Sequence, residues 1–178
     1  MNRHPAVAKK RLGQQDSIPP TWRLPPITLL NAPKDTLSTI RSCDILTPDE
    51  LSWTETNDVA VLVSLLAKRE VSSEQLTAAF CKRAAIAQQL NRCLTEIFFE
   101  RALGRARQLD EFLVKTGKVV GPLHGLPISI KDRFDVEGID STVGMYSYLY
   151  TYMPWSISVY LPVGLWKVAN ITAQDGSD

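Results

Sequence analysis

Gly121-Pro122-Leu123-His124-Gly125-Leu126-Pro127-Ile128-Ser129-Ile130-Lys131-Asp132 is the stretch whose reading decides the rest. Glycine and proline punctuate its first half as a tight loop, and Pro127 stands where a strand tolerates proline, at its start. Ile128 and Ile130 favour a pleated, part-buried setting. The run then ends on a lysine beside an aspartate. Burial lowers a lysine's pKa, and a neutral amine can accept a proton. The plainer alternative is a strand-end lysine whose stem covers apolar neighbours while its head stays in water. The residues alone leave both readings open.

Upstream, capping residues delimit four helices. Thr47-Pro48-Asp49-Glu50 offers a threonine N-cap, proline at the first position and acids in the first turn. Asn57 or Asp58 caps a second helix to about Lys68, with Val59, Leu62, Val63 and Leu66 at helical spacing. Ser72 or Ser73 caps a third to about Leu90. Leu76, Phe80, Ala84 and Ala87 are its expected buried stripe, and Lys82 and Arg83 are expected to face water. Leu94 to Phe98 leans towards strand. A fourth helix begins near Phe99, buries Ala102, Ala106, Leu109 and Leu113, and stops at Gly117.

His124 to Asp132, followed by Asp135-Val136-Glu137-Gly138 and Ser141-Thr142-Val143-Gly144, resembles the N-terminal lysine segment of the amidase signature family. Residues Ala79 to Leu90 and Leu94 to Ile97 are similar to its fungal acetamidase-type members. The resemblance covers about residues 44–144. It implies an α/β fold, a mixed sheet covered by helices, of which this chain holds a helix-rich N-terminal part with an incomplete sheet. It also implies a hydrolase of carboxylic amides that uses two serines and a lysine, with Lys131 as the catalytic lysine. No cofactor and no metal are implied, and the substrate of the complete enzyme is a small-molecule amide. The complete enzyme could be a homo-oligomer.

The family's Gly/Ser-rich segment carries both serines, and it is missing here. None of the nine glycines adjoins another. Ser129, two residues before Lys131, matches neither serine, and Ser141 and Thr142 read as structural. The chain is therefore expected to be truncated before its nucleophile and inactive as written. The alternatives are a non-catalytic helical interaction module and a membrane-anchored product using residues 145–166. Asp132, Asp135, Glu137 and Asp140 could suggest a metal or paired-acid site, but acids and glycine are common in solvated turns.

Composition sets the outer limits. A hydrophobic content of 44% and a charged content of 22% are globular values. A net charge of +1 gives no reason to expect nucleic acid as a partner. Cys43, Cys81 and Cys93 form no C-x-x-C pair and read as reduced thiols. His4 and His124 have no metal-ligand cluster around them. Basic residues near the N-terminus lack a following apolar run, so a secretory signal is not expected and the chain reads as cytoplasmic.

Two flanking regions differ from the centre. Residues 1–43 hold six of the eleven prolines and read as an extended arm. It either wraps a domain through Trp22, Leu24, Ile27, Leu29 and Leu30 or is a disordered leader. Residues 145–178 form an aromatic tail, expected to diverge from the family, as a retained intron or a shifted frame would produce. All five tyrosines lie there, and Met145 to Trp166 carries no charge. Its length could cross a bilayer, but two prolines and many hydroxyls make it a poor span. The strand ending at Lys131 would then lack neighbours, since a strand buried on both faces needs one on each side.

Overall fold

In the computed structural model, which describes residues 5–31, 35–132, 134, 136, 138–141 and the backbone of 166–169, the chain is organised around one helix, α6 (Ser73–Asn91). Local chemistry sets both its ends. The Gln75 N–H donates to Ser72 Oγ and the Ser72 N–H donates to Gln75 Oε1, each at 3.0 Å, a reciprocal cap. At the other end Arg92 takes the left-handed conformation and its N–H donates to the Gln88 carbonyl. Three apolar clusters hold the described residues together, and each draws on α6: Leu76 in one, Cys81 and Ala85 in another, Ile86 in the third.

Six further α-helices accompany it among the described residues, and those from residue 36 onward pack against it. The six are α1 (Pro5–Asp16), α2 (Pro26–Leu30), α3 (Thr36–Ser42), α4 (Pro48–Glu55), α5 (Val59–Ala67) and α7 (Phe99–Thr116). Thr47 and Glu50 form the cap that the sequence predicts for α4, and Asp58 caps α5. α7 buries Ala102, Ala106, Leu109 and Leu113 as expected, and ends on Gly117 at φ 69°. α6 departs from its expected stripe. Leu76 is buried, but Phe80, Ala84 and Ala87 are only half-buried, while Thr77, Ala79, Cys81, Ala85 and Ile86 are buried. The helix has neighbours on several sides, so a single stripe does not describe it. Burial pushes the Cys81 thiol up to about 12, so it packs as a small apolar group.

Lys82 and Arg83 do not simply face water. The Lys82 ammonium meets both oxygens of Glu50 at 2.7 and 2.8 Å, and Arg83 reaches Thr54 Oγ1 at 3.3 Å. Both partners lie on α4, whose packing on α6 turns these long side chains inward.

The expectation of an extended arm is also corrected. Residues 5–31 and 35–42 are largely helical. Pro5, Pro26 and Pro48 each stand at the start of a helix, where a missing N–H costs no hydrogen bond. Ile18 and Leu24 are buried against α6, and Trp22 packs on Phe99 with ring centroids 5.7 Å apart. Ile27, Leu29 and Leu30, three of the five expected anchors, are exposed.

Among the described residues three short strands form a mixed sheet: β1 (Leu94–Glu96), β2 (Ile128–Lys131) and β3 (Trp166–Ala169), in the order β1-β3-β2. β3 runs parallel to β1 and antiparallel to β2. The expectation that β2 finds no neighbour in this chain is thereby corrected, since β3 comes from the aromatic tail and pairs from Ile128↔Ala169 to Lys131↔Trp166. The expectation that β2 is buried on both faces is corrected too. Ser129 is exposed and Ile128, Ile130 and Lys131 are half-buried, so the described residues fully cover neither face of β2. No helix among the described residues is long and apolar enough to cross a membrane. Residues 145–165, with all five tyrosines, lie outside the described residues.

One carboxylate joins the two long helices. Asp110 on α7 accepts from the Ser73 and Glu74 N–H groups at 2.7 and 2.9 Å, capping α6 from outside. A negative charge there meets both the free donors and the positive end of the helix dipole. Asp110→Ala is expected to lower the unfolding free energy by about 2 kcal/mol. A urea midpoint unchanged from the parent chain would refute that role.

Candidate active-site segment

The loop before Lys131 is built against the helices. The His124 N–H donates to the Gly121 carbonyl and the Leu126 N–H to the Leu123 carbonyl, both at 3.1 Å, so the chain turns twice within six residues. Gly125 adopts φ 75°, which glycine alone takes without strain. A Cβ there would collide with Ser73 Oγ and lie 2.9 Å from Ser73 Cβ. The backbone therefore rests directly on the first turn of α6. Leu126 completes the contact by entering the cluster of Leu62, Leu66, Val71 and Leu76.

His124 is buried in this loop, 3% exposed. Its Nδ1 accepts from the Val120 N–H at 3.3 Å, while Nε2 is buried and meets no hydrogen-bond partner among the described residues. The ring is thus held neutral, with its proton on Nε2. Burial pushes its pKa down; the nearby Asp110 charge opposes that, and Arg105 adds to it. Because the folded pKa lies below the unfolded value of 6.5, the unfolded chain binds the extra proton first. Stability should fall as pH drops below 6.5 and level off once the folded ring also titrates. Urea midpoints from pH 7.5 to 5 test this: His124→Gln should remove part of the slope, and an identical slope would refute it.

Lys131 ends β2, half-buried, opposite Trp166 in the register. Its carbonyl accepts from the Phe134 N–H at 3.0 Å. Asp132, 2% exposed, follows it into the interior, and the Asp132 carbonyl accepts from Ser141 Oγ at 2.6 Å. Ser141 thus has the structural place that its sequence position suggests. A short bridge, Val136 to Ile139, closes the intervening loop. Asp140 pairs with Lys10 at 2.8 Å, and no metal-binding group of His, Cys, Asp and Glu exists among the described residues. Asp135, Glu137 and Thr142 lie outside them. A groove of about 940 Å³ lies elsewhere, between α1, α2 and the C-terminal end of α6, and Lys131 is not in its wall.

A loop docked on a helix, a strand in a mixed sheet and a lysine at the strand's end form the frame in which the comparisons fall. The sequence model of the family described as Amidase matches residues 75–156. An amidase of Gibberella moniliformis is 46% identical over 147 residues, which is 80% of this chain and 28% of that protein. The chain belongs to the amidase signature family. An acetamidase of Emericella nidulans is 44% identical over 146 residues, covering 82% of this chain and 26% of the relative. Among solved structures, a fatty acid amide hydrolase superposes with a TM-score of 0.60 at 32% identity, over 68% of this chain and 22% of its own. The chain thus spans about a quarter of the length of the curated relatives it matches. The amidase match runs through α7, the Gly121–Pro127 loop and β2, and continues past Gly144.

Three residues that hold the amidase segment in place escaped the sequence reading. Ser73 was read only as a possible cap, although Gly125 rests on it. Asp110 and Lys10 act across 37 and 130 positions of chain, and no local pattern reports such pairings.

Proposed function

We propose that this chain is the part of an amide hydrolase that supplies the base of a serine–serine–lysine relay, with Lys131 as that base. The observation that carries the proposal is the position of Lys131 at the end of β2, directly after a Gly-Pro-Leu-His-Gly-Leu-Pro loop packed on α6, within the amidase match. In the complete enzyme the neutral amine takes a proton from one serine, which in turn activates the nucleophilic serine. Attack on the amide carbonyl forms a tetrahedral oxyanion held by backbone N–H groups. The relay returns a proton to the departing amine, and water hydrolyses the acyl-enzyme. Small carboxylic amides are the proposed substrates, in keeping with the acetamidase among the relatives.

The 178-residue polypeptide contains no Gly-Ser-Ser-Gly run, and a base without its serines has nothing to activate. The polypeptide by itself is therefore expected to release no ammonia from acetamide. A chimaera tests the role of the lysine: this chain replaces the matched N-terminal quarter of the Emericella nidulans acetamidase. Such a chimaera is expected to hydrolyse acetamide, and Lys131→Met to lower kcat by at least about 100-fold. An active chimaera indifferent to Lys131→Met would sink the assignment. Lys131-dependent ammonia release by the 178-residue chain alone would sink the claim that it needs the serines of a downstream segment.

A further inference from the structure

We propose that Lys10, on the first helix, is a positioning residue for Lys131. This rests on the reading of Lys131 as the base. The Lys10 ammonium lies 2.7 Å from Glu96 Oε1 on β1 and 2.8 Å from Asp140 Oδ2 in the loop after β2. All three side chains are largely shielded, at 25%, 11% and 22% exposure. One point charge with three donors thus joins segments that meet nowhere nearby in sequence.

The link leads straight to the lysine. Asp140 precedes Ser141, whose hydroxyl donates to the Asp132 carbonyl at 2.6 Å, and Asp132 follows Lys131. At the other end of the loop the Phe134 N–H donates to the Lys131 carbonyl. The loop therefore leaves from and returns to Lys131–Asp132, and Lys10 holds its returning limb.

A second contact on the same helix face supports the arrangement. Gln14 lies four residues on, one turn along α1, on the side shared with Lys10. Its Nε2 donates to the Thr95 carbonyl at 2.6 Å and approaches the Leu94 carbonyl at 3.4 Å. α1 thus clasps β1 by its backbone through Gln14 and by its Glu96 carboxylate through Lys10. Without the ammonium, Glu96 and Asp140 would converge as like charges. Burial acts to lower the Lys10 pKa, but its bonds to the Asp140 and Glu96 carboxylates and their negative charges outweigh it and hold it above the ordinary lysine value.

The experiment uses the full 178-residue chain and trace acetic anhydride. Mass spectrometry follows acetylation of each lysine against pH. Lys10→Met is expected to change the acetylation rate of Lys131 roughly threefold at fixed pH. Lys10→Arg should restore it. Arg41→Met, which breaks a pair with Glu55 between α3 and α4, should leave it unmoved. Asp140→Asn loosens the loop while keeping Lys10 and serves if Lys10→Met does not fold; it should move the profile in the same direction. An unchanged Lys131 profile in both variants would overturn the proposal, including when amide exchange at 138–141 accelerates, because the clasp would then be structural only. The parent chain tests the other reading separately. A Lys131 profile matching that of the exposed Lys68 counts against Lys131 as the base, whatever the variants do.

Discussion

Gly125→Ala is expected to cost about 3 kcal/mol of unfolding free energy. Two penalties combine. The backbone stays at φ 75°, where a Cβ costs about 1–2 kcal/mol. The new methyl would also collide with Ser73 Oγ, stand 2.9 Å from Ser73 Cβ and 3.3 Å from Leu66 Cδ2. Overpacking of that kind costs about 1–3 kcal/mol. Ser73 cannot step aside, because its N–H is bonded to Asp110 and its Cβ belongs to the first turn of α6. Gly117→Ala separates the two penalties. Gly117 has φ 69° but nothing within 4 Å of its would-be Cβ, so only the backbone penalty applies. Urea unfolding of both variants should therefore show the larger loss at Gly125. Ser73→Gly, added to Gly125→Ala, should recover part of it. Equal losses at the two glycines would refute the close approach, and with it the docking of the loop on α6.

Phe99→Ala should remove about 3–5 kcal/mol, the usual cost of deleting a large buried aromatic side chain. Phe99 is 2% exposed and shares a cluster with Ile18, Cys81, Ala85 and Leu94. Its ring also meets Trp22 at an interplanar angle of 55°. That places it where the N-terminal segment, α6 and the start of β1 join. A loss of this size is a large share of the roughly 5–15 kcal/mol that holds a domain folded. Limited proteolysis should show cleavage within residues 5–31 rising ahead of cleavage within α6. Phe112→Ala, at a residue 40% exposed on the same helix, should cost far less. If the two phenylalanines proved equivalent, the N-terminal segment would not be held by this cluster.

Helix limits were legible wherever the determining chemistry was local. Thr47 with Glu50, Asp58, and Ser72 with Gln75 announce three starts, and Gly117 announces a stop. The stripe of α7 was equally plain, because only one of its faces is covered. The stripe of α6 was misread because that helix is enclosed on several sides. The N-terminal segment is helical where its proline content points to extended chain, because the effect of proline depends on place: at a first helical position it is favourable. β3 could not be read at all. Its four residues, Trp166 to Ala169, begin where the uncharged stretch ends and carry no period of their own, and only the partner strands select them. For the site, the lysine segment was visible as a pattern. Its supports were not, since Ser73 beneath Gly125 and Lys10 against Asp140 are contacts between distant parts of the chain.

The placement of β3 bears on the order in which the molecule assembles. The contacts that build the helical layer from residue 36 onward join segments within about eighty positions of each other. β1 and β2, by contrast, become neighbours only through a strand that begins at Trp166, after 34 intervening residues from the end of β2. Closing that loop has an entropic cost before any pairing offsets it. Such non-local pairings form slowly compared with helix packing. The helical layer should therefore be a platform that exists before the sheet, and Lys131 reaches its position in the last event of folding rather than the first.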